Sequence, residues 1–171
     1  MSGLTRPRLA DKPTTEVCTW IDAAPAEVWG LVSDIELMTT LSDELYAVEW
    51  IAPATGPHLG AAFRGDNRNG SAQWSSTSYI VDYEPEHVFA WATSDVANPG
   101  AIWRFSLEPQ RGGTQLTQWV QMGTGQSGVS AAIRAYPDRE QSIVAARLRQ
   151  FERGMAHNVA ALKRIAEGSA A

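Results

Sequence analysis

Residues 63–74 read FRGDNRNGSAQW. Whether Arg64-Gly65-Asp66 is a signal or part of a wall depends on which way each side chain faces. In an extended strand, successive side chains alternate between two faces. Phe63, Gly65 and Asn67 then share one face, and Arg64, Asp66 and Arg68 share the other. The charged set must face water, because unpaired buried charge is too costly. The adhesion-like tripeptide is therefore split across a strand, with Phe63 and Asn67 pointing inward. Asn69-Gly70 is expected to supply the hairpin turn that follows, since both residues accept positive φ.

Strand chemistry continues on either side, over residues 15–22, 45–54, 61–68, 72–83, 87–93, 101–108 and 114–122. The breaks include TGPHLG, NRNGS, EPE, SDVANPG and PQRGG, rich in the Gly, Pro and Asn of turns. Short breaks between successive strands argue for an antiparallel meander rather than βαβ units. After the first strand, Pro25 suits a first helical turn, with Val28, Trp29 and Val32 at helical spacing. Two short helices over 25–41, broken near Ser33-Asp34, fit this stretch. A flexible glycine-rich segment then follows at 123–128, with one or two helical turns in VSAAIRAY.

Asp138, with Gln141 three residues on, reads as the N-cap of a long helix over 139–167. Val144, Leu148, Phe151, Met155, Val159 and Leu162 form one apolar stripe on it. That stripe needs a concave partner, and the sheet is the candidate. Residues 1–14 are polar, carry Pro7 and Pro13, and are expected to form a flexible tail before a single domain over 15–167.

Composition narrows the possible functions. The chain has 171 residues, 44% apolar and 19% charged, which suits one globular domain. A net charge of −5 favours neither nucleic acid nor an anionic membrane surface. The single cysteine, Cys18, excludes an internal disulfide and a cysteine-based zinc site, and is expected to be packed. The N-terminal stretch lacks the apolar run of a signal peptide, and no segment has the length of a membrane span. The expectation is a cytoplasmic protein, monomeric or homodimeric, without membrane insertion or nucleic-acid partner. That location also argues against adhesion through Arg64-Gly65-Asp66 and against glycosylation at Asn69-Gly70-Ser71.

Alternation sorts the later strands as it does the first stretch. Trp74, Ser76, Ser78 and Ile80 share a face, as do Phe89, Trp91 and Thr93. Trp103, Phe105 and Leu107 form another row, and Leu116, Gln118, Val120 and Met122 another. The inner face thus mixes large aromatics with hydroxyls and amides. A plain core avoids such groups unless each finds a partner. A ligand cavity wants apolar walls and a few orienting polar groups. Either the polar residues bond to one another near strand ends, or they face a cavity. Gly154, in the middle of the long helix, either makes room opposite the sheet or is a tolerated surface glycine.

The order of elements, with "IDAAPAEVWGLVSDIE", "FRGDNRNGSAQWSSTSYIVDYEPEHVFAW", "WRFSLEPQRGGTQLT" and "RLRQFERGMAHNVAALKRIAE", resembles the START-like (SRPBCC) superfamily, in its polyketide cyclase/dehydrase-like branch. The resemblance covers residues 15–167. It implies an α+β helix-grip fold: a seven-stranded antiparallel sheet wrapped around the long C-terminal helix, with two short helices after the first strand. It also implies a hydrophobic tunnel lined by Phe63, Asn67, Trp74, Ser76, Ser78, Trp91, Trp103 and Gln118. Met122, at the end of its row, and Phe151, on the stripe, complete the expected ligand-binding set. Members of the superfamily bind lipids, sterols or polyketides, and some are cyclases or dehydratases.

The residues themselves supply little chemistry. His58, His87 and His157 form no metal-ligand spacing, so no metal and no cofactor are expected. Ser127, in GQSGV, misses the nucleophile-elbow pattern. The tryptophans either stack on an aromatic ligand or fill the core. Asn67 and Gln118 are placed to polarise a ligand carbonyl. Arg147, at the edge of the stripe, either meets an anionic head group or is a solvated flank. The expected function is binding of a hydrophobic, ring-containing molecule of lipid or polyketide type. The alternative is a cyclase or dehydratase acting on such a ligand, which needs a positioned acid or base. The stretch at 123–128 either gates access, together with the loop around Pro99, or is a passive connector between strand and helix.

Overall fold

The structure is a computed structural model and describes residues 6–168. Its strands are β1 (Thr14–Ile21), β2 (Leu45–Trp50), β3 (Ala62–Asn69), β4 (Ala72–Glu84), β5 (Val88–Thr93), β6 (Ala101–Gln110) and β7 (Gly113–Met122). They form one sheet in the order β1-β7-β6-β5-β4-β3-β2, every neighbouring pair antiparallel. The meander thus returns to its starting strand at one edge, while β2 forms the other. Helices α1 (Pro25–Val32) and α2 (Ile35–Leu41) follow β1; α3 (Gly128–Ala135) and α4 (Glu140–Ala166) follow β7. This is the expected α+β helix-grip architecture.

Local chemistry explains the boundaries. Pro25 opens α1, and Ser33 closes it by donating from Oγ to the Trp29 carbonyl at 2.7 Å. Asp34 caps α2, its carboxylate accepting from the Glu36 and Leu37 amides at 3.0 Å each. The β3–β4 hairpin pairs Asn69 with Ala72, so its loop is Gly70-Ser71 rather than Asn69-Gly70. Gly70 takes φ +60 while Asn69 remains in the strand, which places glycine at the first turn position. Arg64 and Asp66 do lie outward, paired to each other at 3.1 Å, while Phe63 and Gly65 are buried. The Ser75 hydroxyl also donates to Asp66. That bond, opposed by desolvation and helped by Arg64, holds the Asp66 carboxyl below the usual range. Its stabilising effect is therefore present at neutral pH and lost as pH falls through the lowered value.

Four local expectations change. Asp138 does not cap the long helix: it lies inside a 3-10 turn, Pro137–Arg139, and α4 starts only at Glu140. In the stretch expected as a tail, Leu9 is buried beside Met122 and Val144, and its amide donates to Glu140 Oε1 at 3.0 Å. Residues 1–5 of that stretch lie outside the described residues. Cys18 is exposed on edge strand β1, not packed. The glycines at 123 and 125 serve close approach rather than freedom: a Cβ at either would stand 1.9 Å from the carbonyl oxygen of Pro99 or Asn98. Backbone bonds from Gly123 to Gly100 (2.9 Å) and from Gly125 to Pro99 (3.1 Å) stitch the two expected gate loops together.

The main core cluster occupies one end of the concave face. Val28, Val32, Ile35 and Met38 of α1 and α2 pack with Ile21, Phe89, Phe105, Leu107 and Leu116 of the sheet and with Val159 and Leu162 of α4. Leu162 is fully buried there. Leu162→Ala is expected to lower the unfolding free energy by about 2–5 kcal/mol, measured by urea denaturation. A change near zero would show that this end of α4 does not anchor the sheet.

Candidate functional site

Helix α4 makes its close approach to the sheet along β1 and β7, and its other close neighbours are α1, α2 and α3. Among the described residues, no comparable approach is made to β3, β4 or β5. The inner rows of these strands therefore run from core into open space. On β4, Ile80 is core while Ser78, Ser76 and Trp74 line a cavity. On β6, Leu107 and Phe105 are core while Trp103 and Ala101 line it; on β7, Leu116 gives way to Gln118 and Met122. Along α4 the same boundary falls between Val159 and Asn158, with Met155, Gly154, Phe151 and Arg147 on the cavity side.

The cavity measures about 1510 Å³. Its aromatic wall is continuous. Trp91 and Trp103 stack with centroids 6.5 Å apart and planes 15° from parallel. Phe151 meets Trp103 edge-on at 4.9 Å, and Phe63 and Phe89 flank Trp91 at 6.3 and 5.4 Å. Trp91, Trp103 and Phe151 keep partial exposure although they lie between sheet and helix, and the surface they leave uncovered is cavity wall. Gly154 lines the same space, and nothing lies within 4 Å of where its Cβ would stand. It makes room rather than sitting on the outer surface.

All ten residues expected from sequence line this one cavity, with Trp74 at the rim, 37% exposed. Their polar groups are not equivalent. Thr93, a neighbour in the lining, has its hydroxyl committed to the Ala101 backbone at 2.9 and 3.3 Å. Asn67 Nδ2 donates weakly to the Gly65 carbonyl at 3.4 Å. Gln118, 2% exposed, accepts from Asn158 Nδ2 at 3.3 Å. Asn158 was not anticipated. The signal was present: it stands three residues after Met155 and seven after Phe151, on the apolar stripe itself.

The mouth lies between the β3–β4 hairpin tip, α3, the first half of α4 and residues 42–45. Glu44 spans part of it, another residue that sequence reasoning missed. Arg147 donates to both Glu44 carboxylate oxygens, at 2.6 and 2.9 Å, and Asn69 Nδ2 donates to Oε1 at 3.0 Å. The Arg147 guanidinium also lies 4.4 Å from the Phe151 ring centroid. Its side chain is only 18% exposed, so Arg147 is not a solvated flank. Its charge is neutralised by Glu44, and an anionic ligand would have to compete with that pair. Among the described residues, the carboxylates lining the cavity are Asp43 and Glu44, both in this mouth region. His58, His87 and His157 are all exposed and away from the lining.

A helix-grip domain with a large, aromatic-walled cavity is thus the class that the geometry defines. The chain matches the profile of the polyketide cyclase/dehydrase and lipid transport family over residues 13–166, and it belongs to that family. Its structure is similar to the solution structure of a polyketide-cyclase-like protein from Corynebacterium glutamicum, at 28% identity and TM-score 0.64, over 93% of this chain and 91% of that one. It shares its fold with the Zhui aromatase/cyclase from Streptomyces sp. R1128, at 14% identity and TM-score 0.63, covering 89% and 94% of the two chains. It also matches the di-domain ARO/CYC StfQ from the steffimycin biosynthetic pathway, at 12% identity and TM-score 0.70, over 91% of this chain and 51% of that one. No protein of curated function matches significantly by sequence. Among the described residues, no helix is long and apolar enough to cross a membrane.

Gly154 gives this geometry a direct check. A helix-interior glycine is about 1 kcal/mol less favourable than alanine, and here a methyl group would meet no obstacle. Gly154→Ala is expected to raise the unfolding free energy by roughly 0.5–1 kcal/mol in urea denaturation. An unchanged or lowered stability would mean that the space beside the helix is not open.

Proposed function

We propose that the cavity binds a hydrophobic, ring-containing small molecule of polyketide or lipid type. The observation that carries this reading is the continuous wall of Phe63, Phe89, Trp91, Trp103 and Phe151 around open space. Ordinary ligand clefts occupy roughly 300–1,000 Å³ and combine apolar walls with few polar groups. A volume of about 1510 Å³ leaves space for a molecule of several rings. Family membership supports the same class of ligand. The aromatase/cyclase names carried by Zhui and StfQ belong to those proteins, and at 14% and 12% identity they bear on this chain as shared fold.

Binding without chemistry is the reading we favour over a cyclase or dehydratase. General acid–base catalysis needs a group that exchanges a proton near the operating pH. The interior lining offers hydroxyls and carboxamides, from Ser76, Ser78, Asn67, Gln118 and Asn158, which orient a ligand but do not carry a proton in that way. The acids sit at the mouth, and Glu44 is held by Arg147. A binding or carrier role in solution inside the cell fits these features and the net charge of −5.

Titration with polycyclic aromatic compounds is expected to give saturable quenching of tryptophan fluorescence. Trp103→Ala removes one stacked ring worth roughly 0.5–1.5 kcal/mol, so affinity is expected to fall by about 2- to 12-fold. A broad panel without saturable change would rule out the proposed ligand class. Equal affinity for Trp103→Ala and wild type would place the bound molecule elsewhere.

A further inference from the structure

The floor of the cavity holds two carboxamides among apolar neighbours. Gln118 is 2% and Asn158 8% exposed, and both line the cavity. Around them stand Phe105, Val120, Met155 and Val159, all buried. One hydrogen bond joins the pair, from Asn158 Nδ2 to Gln118 Oε1 at 3.3 Å. Asn158 Oδ1 is buried and has no partner among the described residues. Two carboxamides joined by a single bond leave one amino group and one carbonyl uncommitted. Turning both amides over exchanges the two roles and leaves the same complement.

Buried polar atoms are normally paired, and an orphaned one lowers stability. We propose that the Gln118–Asn158 pair is a recognition subsite for a hydroxyl group borne on a ring of the ligand, phenolic or enolic. The inference rests on the binding function proposed above and specifies its ligand. A hydroxyl oxygen both accepts and donates from a single atom. Placed against the pair, it accepts from the free amino group, and it donates to the covered Asn158 carbonyl once that side chain turns toward the cavity. A ketone or ether only accepts, and leaves the second carboxamide carbonyl unmatched. A carboxylate also only accepts, and brings a charge into an apolar floor. Phe151 and Met155, on the same helix face, place ring-binding surface directly beside the pair.

The test uses the whole chain and three probes of one size class: 2-naphthol, 2-methoxynaphthalene and naphthalene, compared by isothermal titration calorimetry. 2-Naphthol is expected to bind about tenfold more tightly than 2-methoxynaphthalene, although the methoxy compound is the more hydrophobic. Asn158→Leu is expected to bring that ratio to about one, and Gln118→Leu, on the other side of the pair, to do the same. A second readout is thermal melting without ligand. A subsite carrying an orphaned carbonyl predicts that Asn158→Leu melts no lower than wild type, whereas a purely structural amide pair predicts a lower midpoint. Equal affinity of wild type for 2-naphthol and its methyl ether overturns the inference while naphthalene binding still supports the cavity. A ratio that survives Asn158→Leu also overturns it. Failure of all three probes to bind removes the cavity reading, and this inference with it.

Discussion

A single 27-residue helix covers a concave seven-stranded sheet from one edge, and the rest of the structure follows from that placement. A sheet of this width presents more inner face than one helix can bury. Here α4 lies close to β1 and β7, while α1 and α2 fill the concavity at one end. Beyond that end, the inner rows of β3 to β5 have no helix in close approach, and β6 meets α4 mainly through Trp103 and Phe151. They bear aromatic rings, which cover much of each other edge-on and by stacking, and the space left between them and the helix is the cavity. Gly154 keeps the helix thin where it faces that space.

On β4, β6, β7 and α4 the inner residues change character at the boundary where the main core gives way to the cavity. Below it the side chains are aliphatic or fully buried aromatic: Ile80, Phe105, Leu107, Leu116 and Leu162. Above it the rows change to Ser78, Trp103, Gln118 and Asn158. Polar groups tolerated there would be unfavourable a few residues further down. At the mouth, Glu44 joins α4 to the β3–β4 hairpin through Arg147 and Asn69. This three-way contact ties together the parts of these elements that lie beyond the main core. The seam of Gly123 and Gly125 against residues 98–100 fixes the approach to α3 in a similar way.

The fold was legible because its signals are local and periodic. Alternation in FRGDNRNGSAQW assigned Phe63 and Arg64 to opposite faces, and the structure buries the first and exposes the second. The 3-4 spacing from Val144 to Leu162 located the helix face that meets the sheet. Alternation put nine of the expected lining residues on inner strand faces and helical spacing put Phe151 on the stripe, and all ten border one cavity. What escaped depended on contacts between distant segments. Glu44 meets Arg147 across 103 positions, and Leu9 meets Glu140 across 131. No local pattern encodes such pairs. The role of Gly123 and Gly125 was misread for the same reason: composition suggests freedom, and only the packed backbone of Pro99 shows close approach. Asn158 was hidden differently, as a polar residue inside an otherwise apolar stripe.

The central claim is that a ring-containing molecule occupies the space between Trp103 and α4. Two of the four methionines of the chain report on it, because Met122 and Met155 line the cavity from the sheet and from the helix. Carbon-13 labelling of the methionine methyl groups, followed by titration with an aromatic probe, locates the bound ring. The account predicts saturable ring-current shifts of both methyl signals, with intermolecular nuclear Overhauser contacts to each. A probe that binds but leaves both methyl signals unmoved would contradict it.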